Sequence, residues 1–77
     1  MSATPLAHDD YFNDDVATLG DRLESARMAK GLTVAGLAEK LGVSTKTVKN
    51  WENDGVAPRS NRLQMLAGML NVSLVWL

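Results

Sequence analysis

The sequence predicts an all-α fold, a compact bundle of about five short helices that together form one small domain. Apolar residues recur at helical spacing in successive short segments, which is the pattern of amphipathic helices packed around a shared core. Serine, threonine, glycine and asparagine stand between these segments, where such residues cap or end helices. A chain of 77 residues is long enough for this bundle but too short for an enlarged enzyme cleft.

The chain divides into an acidic N-terminal arm, residues 1–15, and a helical domain, residues 16–77. The arm carries four aspartates, a proline and no helical or alternating pattern, so we expect it to be mobile or loosely docked. His8 adjoins two of these aspartates, but no second ligand cluster exists for a metal ion. Tyr11 and Phe12 are expected to pack either onto the domain or onto a partner.

The first helix is expected to begin between Asp15 and Thr18 and to end at Lys30, before Gly31. Acidic residues near its start and basic residues near its end complement the helix dipole. Its inward face follows helical spacing and consists of Val16, Leu19, Leu23 and Ala26.

The second and third helices are expected at residues 34–41 and 45–53, joined by a tight corner. Thr33 and Ser44 are suited to cap their N-termini with side-chain oxygens. Gly42 ends the second helix because it tolerates the positive φ that a sharp reversal requires. Val48 and Trp51 face inward and leave polar residues outside. This combination is typical of a helix-turn-helix at residues 34–53.

A loop at residues 55–58 precedes the fourth helix, for which Ser60 is the expected N-cap. Asn71 is expected to end that helix in the left-handed conformation. Ser73 then caps a final turn, the fifth short helix of the prediction. The inward residues of the fourth helix are Leu63, Leu66, Ala67 and Leu70.

Residues 34–53 resemble the helix-turn-helix of the phage-repressor family, also called Cro/lambda-repressor-like or XRE. The family pattern is a small residue, a glycine four positions later, a hydrophobic residue next, and valine or isoleucine five positions beyond. Ala38, Gly42, Val43 and Val48 match that spacing. The similarity continues on both sides, over roughly residues 18–77, and implies a lambda-repressor-like DNA-binding domain.

This resemblance implies that the third helix enters the major groove of double-stranded DNA. Lys46 can donate to guanine, Asn50 can pair with adenine, and Thr45 can contact a base edge or a thymine methyl. A face of lysine, threonine and asparagine is otherwise ordinary for a solvated helix. The side chains expected to contact DNA phosphates are Thr33, Ser44, Lys49, Arg59 and Arg62.

Arg27 and Glu52 match an arginine and a glutamate that pair in this family, so the resemblance implies a structural ion pair. The sequence also departs from the family at two positions. Val34 stands where a phosphate-binding glutamine is frequent, and Asp54 stands where glycine is usual. Val34 can donate only its backbone N–H, and Asp54 adds a negative charge near the expected path of the DNA backbone. Both departures are therefore expected to weaken the contact with DNA phosphates.

The charge is unevenly distributed along the chain. Residues 1–21 hold five acidic and no basic residues, whereas residues 22–77 hold eight basic and four acidic residues, a net +4. This asymmetry favours a polyanionic partner for the second part. One histidine and no cysteine leave nothing for catalysis, a cofactor or a metal site. We expect a cytoplasmic DNA-binding transcriptional regulator, most simply a repressor.

The C-terminal residues are apolar beyond what one short helix can bury, so we expect either that the chain is a fragment of a longer protein or that this patch contacts a second copy. Because related proteins often dimerise through this region, the resemblance implies a homodimer on a near-palindromic DNA site. The alternative is an antitoxin-like module that binds a protein partner through the acidic arm and this apolar end. The dimer candidates are Leu74, Val75, Trp76 and Leu77.

Overall fold

The structure, a computed structural model, describes residues 17–77, and the predicted acidic arm together with Val16 lies outside the described residues. Four α-helices follow one another in this part of the chain. Their bounds are α1 Leu19–Ala29, α2 Val34–Leu41, α3 Thr45–Glu52 and α4 Ser60–Leu70. The all-α class is therefore confirmed. None of these helices combines the length and the apolar character that crossing a membrane requires.

The predicted fifth helix is a hydrogen-bonded turn. Ser73 Oγ accepts from the Trp76 N–H at 3.0 Å, and the Ser73 carbonyl accepts from the Leu77 N–H at 3.3 Å. Ser73 thus caps the segment as expected, but two such bonds form only one turn. Within residues 17–77 the bundle therefore has four helices rather than about five.

Three helices begin with the side-chain cap that their sequences favour. Thr18 Oγ1 accepts from Asp21 N–H at 3.1 Å, Thr33 Oγ1 from Gly36 N–H at 2.9 Å, and Ser44 Oγ from Thr47 N–H at 3.1 Å. In α1 the Asp21 carboxylate also accepts from the Thr18 N–H at 3.2 Å, which completes a capping box. Short-range chemistry thus sets these three N-termini.

The predicted cap at Ser60 is wrong, because α4 begins one residue earlier than expected. Arg59 is the extended N-cap residue, and its carbonyl already accepts from Leu63 N–H at 2.8 Å. Ser60 therefore has helical geometry, in which its hydroxyl does not cap the helix. The N-terminus of α4 carries no side-chain cap hydrogen bond.

All four helices end in the same type of backbone turn, with a residue of positive φ just after the helix. At the end of α2, Gly42 has φ 74°, and the Val43 N–H donates to the Ala38 carbonyl at 3.0 Å. After α4, Asn71 takes the same left-handed conformation, with φ 58°, as the sequence predicted. At the end of α3 the left-handed residue is Asp54, with φ 61°.

One hydrophobic core joins the four helices, and α3 packs against both α1 and α2. Leu37 and Val48 have no solvent exposure, and Trp51, which the sequence assigned to the core, is 5% exposed. In α4, Leu63 and Ala67 are only half-buried. The buried apolar residues are Leu23, Ala26, Leu37, Ala38, Leu41, Val48, Trp51, Leu66 and Leu70.

The first turn of α1 lies directly against the backbone at the end of α3. A Cβ added to Gly20 would lie 2.4 Å from the Glu52 carbonyl oxygen and 2.8 Å from the Trp51 carbonyl oxygen. No side chain fits in that gap. Gly20 therefore sets how closely these two helices approach, and we call this contact region the α1–α3 seam.

We predict that Gly20→Ala lowers the free energy of unfolding by about 1–3 kcal/mol, because the added methyl group overlaps backbone atoms that have little room to move. Gly68→Ala is the matched control, since a Cβ there meets nothing within 4 Å and alanine is the better helix former. Urea unfolding of both variants measures the difference. Equal stabilities of the two variants would show that the α1–α3 seam can accommodate a methyl group.

Candidate nucleic-acid interface

The outer face of α3 consists of Thr45, Lys46, Lys49 and Asn50. The first three are exposed and Asn50 is half-buried, whereas Val48 and Trp51 turn into the core. The spacing i, i+1, i+4 and i+5 explains why these four residues lie on one side of a 3.6-residue helix. The structure thus brings all three predicted base-reading residues together with one predicted phosphate contact.

This outer face is polar and positively charged. Lys46 and Lys49 supply two positive charges, and the sequence from residue 44 to residue 51 contains no acidic residue. The Asn50 side-chain amide makes no hydrogen bond with any other residue between 17 and 77. An amide in that state can use both its donor and its acceptor on a ligand.

The corner before α3 fixes where the helix starts. Gly42 reverses the chain, and its N–H donates to the Glu39 carbonyl at 3.2 Å. Ser44 then caps α3, and its hydroxyl shares a second hydrogen bond of 2.9 Å with Thr47 Oγ1. If Thr47 is the donor in that bond, the Ser44 hydroxyl proton remains available to an outside acceptor.

A bidentate ion pair holds the other end of α3. Arg27 Nε donates to Glu52 Oε2 at 2.7 Å, and Arg27 Nη2 donates to Glu52 Oε1 at 3.2 Å. The two side chains are only 11% and 8% exposed. These hydrogen bonds raise the pKa of Arg27 above its ordinary value, against the opposing effect of desolvation. The structure thus contains the ion pair that the family resemblance implied.

Asp54 is a residue whose role the sequence did not indicate. Its Oδ2 accepts from the Thr18 hydroxyl at 2.6 Å, and its Oδ1 accepts from the Gly20 N–H at 3.0 Å. The carboxylate therefore faces the N-terminus of α1. Both partners lie more than 30 positions away in the chain, so no local pattern signals the contact.

The remaining predicted phosphate contacts are in different environments. Thr33 is exposed and caps α2, and Arg59 is exposed at the start of α4. Arg62 is half-buried, and its Nη1 donates to the Leu41 carbonyl at 3.0 Å. This bond ties α4 to the end of α2 beside the corner, so Arg62 has a structural partner in addition to any ligand.

The four dimer candidates also differ in exposure. Val75 is 96% exposed and Leu74 is 47% exposed. Trp76 and Leu77 are partly buried and pack against the core of their own chain. Leu74 and Val75 are therefore the larger apolar area that this turn offers to another molecule.

Comparisons with known proteins agree with this geometry. Residues 23–77 match the family described as Helix-turn-helix. The HTH-type transcriptional regulator ImmR of Bacillus subtilis (strain 168) is 37% identical over 60 residues, which cover 78% of this chain. Those residues cover 47% of that protein, so the chain spans about half the length of this relative.

We predict that Glu52→Gln destabilises the domain by about 3–5 kcal/mol, because it leaves the buried Arg27 guanidinium without its counter-charge. The double variant Arg27→Met with Glu52→Leu should recover much of that loss, since it buries no unpaired charge. Chemical unfolding of Glu52→Gln measures the loss, and that of Arg27→Met, Glu52→Leu and the double variant measures the coupling. Additive effects of the two positions would show that the pair contributes no mutual stabilisation.

Proposed function

The chain belongs to the helix-turn-helix family, in its phage-repressor (Cro/lambda-repressor-like, XRE) type, and from this premise we propose that it is a sequence-specific DNA-binding transcriptional regulator. The observation that carries the proposal is the outer face of α3. It is exposed, polar and basic, and both ends of the helix that bears it are held by the corner and the seam.

In the proposed complex, α3 lies in the major groove and its outer face contacts base edges. Lys46 donates to guanine O6 or N7, Asn50 bonds adenine N6 and N7, and Thr45 contacts a neighbouring base. The phosphate contacts fix the position of the domain along the duplex. The side chains that supply these phosphate contacts are Thr33, Ser44, Lys49, Arg59 and Arg62. No chemical step is involved, and repression would follow from occupying the site.

We further propose that two copies bind a near-palindromic site, with their α3 helices about 34 Å apart, one turn of DNA. The exposure of Leu74 and Val75 supports a contact between copies through the C-terminal turn. The same exposure favours the second candidate function, a module that binds a different protein there, as an antitoxin does. The mass of the complex separates the two functions.

Two variants test separate parts of the DNA proposal. Asn50→Ala tests base reading, and Lys49→Gln tests phosphate binding. We expect Asn50→Ala to lose about 1–3 kcal/mol of discrimination at one base pair, because a bidentate contact is removed. Its salt dependence should stay unchanged. We expect Lys49→Gln to weaken binding to all DNA sequences alike and to reduce the magnitude of the slope of log K against log salt by about 0.9.

Titration of each variant with a selected site, a single-base mismatch and an unrelated duplex, at several salt concentrations, measures both quantities. Lys30→Gln removes the same charge from the end of α1 and is the control. The base-reading assignment is wrong if Asn50→Ala keeps the wild-type preference. Absence of salt dependence in the wild type would contradict DNA binding altogether.

For the homodimer, we predict that Val75→Asp abolishes cooperative binding to a two-half-site duplex, because a charge is placed on the apolar contact. The fold should survive, since Val75 is 96% exposed. Met28→Asp adds the same charge at an exposed apolar residue of α1, which is 62% exposed, and is the control. Light scattering reports the number of chains per duplex. If two chains of Val75→Asp still bind one duplex cooperatively, the C-terminal turn is not the dimer contact.

A further inference from the structure

We propose that Asp54 is a positioning residue for DNA reading. Its carboxylate holds the C-terminal end of α3 on the first turn of α1 and thereby sets how the outer face of α3 meets the bases. This inference rests on the proposed function, and it concerns a residue that was expected to act on DNA only through its charge.

The contact has the geometry of a cap supplied from another part of the chain. One carboxylate oxygen accepts from the Thr18 hydroxyl at 2.6 Å, and the other accepts from the Gly20 N–H at 3.0 Å. Gly20 is the second residue of α1, so its N–H is one of the donors that a helix leaves unpaired at its N-terminus. The positive end of the helix dipole lies at the same place and favours the negative charge.

The backbone around Asp54 directs the carboxylate toward α1. Asp54 takes the left-handed conformation, with φ 61°, which few residues other than glycine, asparagine and aspartate adopt readily. In this position the chain turns back under the end of α3. A glycine would allow the same turn but would offer no oxygen to Thr18 and Gly20. Aspartate combines the turn with the hydrogen bonds.

The same turn connects directly to a base-reading residue. The Asn50 carbonyl accepts from the Gly55 N–H at 2.9 Å and from the Val56 N–H at 3.4 Å. Movement of the Asp54 turn away from α1 therefore displaces the backbone of Asn50. Base contacts depend on direction and need positions held within about 0.5 Å, whereas attraction to phosphates tolerates larger shifts. Loss of the Asp54 contact should therefore reduce discrimination more than general affinity.

A direct electrostatic role makes the opposite prediction. If the Asp54 charge repelled the DNA backbone, removing it would tighten binding to every duplex. The positioning role predicts weaker binding to the selected site and little change on unrelated DNA. The two roles therefore differ in the sign of the effect on the selected site.

The experiment compares Asp54→Asn and Asp54→Gly with Glu39→Gln, each in the full chain. Both Asp54 variants tolerate positive φ, so the backbone turn is kept. Asparagine retains one acceptor oxygen, and glycine retains none. Glu39→Gln removes the same charge from an exposed side chain that makes no hydrogen bond with other residues of the described part. Thermal unfolding of each variant fixes a temperature at which all of them are folded.

We expect the ratio of affinities for a selected duplex and an unrelated duplex to fall about tenfold in Asp54→Gly, the size of one weakened base contact. Asp54→Asn should lie between Asp54→Gly and the wild type, and Glu39→Gln should keep the ratio. The salt slope on unrelated DNA should stay the same in all variants, because no phosphate contact is removed.

An unchanged ratio in Asp54→Gly, or tighter binding of both Asp54 variants to all duplexes, overturns the positioning role and leaves the proposed function standing. A wild-type chain that binds no duplex in the selection overturns the proposed function, and the positioning role with it. These results are distinguishable because the wild type is measured first and on its own.

Discussion

The Arg27 guanidinium is the group on which the geometry of the domain depends. Two of its nitrogens donate to Glu52 at the end of α3, and the third donates to the Leu32 carbonyl at 2.7 Å. One side chain therefore ties together α1, α3 and the connection between α1 and α2. Because the paired side chains are largely buried, any arrangement that separated them would strand a charge at a cost of several kcal/mol. The position of α3 is restricted accordingly.

This restriction explains how an eight-residue helix can present side chains in fixed positions. A helix of that length has little stability in isolation, so its conformation comes from its caps and from tertiary packing. Val48 and Trp51 are buried in the core, and Glu52 and Asp54 belong to the α1–α3 seam. The contacts that fold the helix thus leave the outer face of its first turns for a ligand.

The parts of this arrangement that the sequence predicted are those with local causes. Four residues cap helix ends through hydrogen bonds with backbone groups within four positions, so their roles could be inferred from residue type and spacing. They are Thr33, Ser44, Gly42 and Asn71. Gly20 is different, because its partners are carbonyls at the far end of α3, more than 30 positions later in the chain. The ion pair was inferred from the family resemblance, since nothing in the spacing alone joins its two residues. The base-reading and phosphate assignments stay predictions.

The two departures from the family pattern have different physical consequences. Val34 is half-buried and packs against the core, so the N-terminus of α2 offers a phosphate only Thr33 and backbone N–H groups. The Asp54 carboxylate, by contrast, is bound by Thr18 and Gly20 at the N-terminus of α1, so it is not an isolated surface charge. In the proposed complex, the phosphate contacts would therefore come mainly from the α3 and α4 side of the domain, where Lys49 and Arg59 are exposed. In that proposed complex, few phosphate contacts per domain would mean a modest electrostatic contribution to affinity, which the proposed pairing of two domains on one DNA molecule would increase.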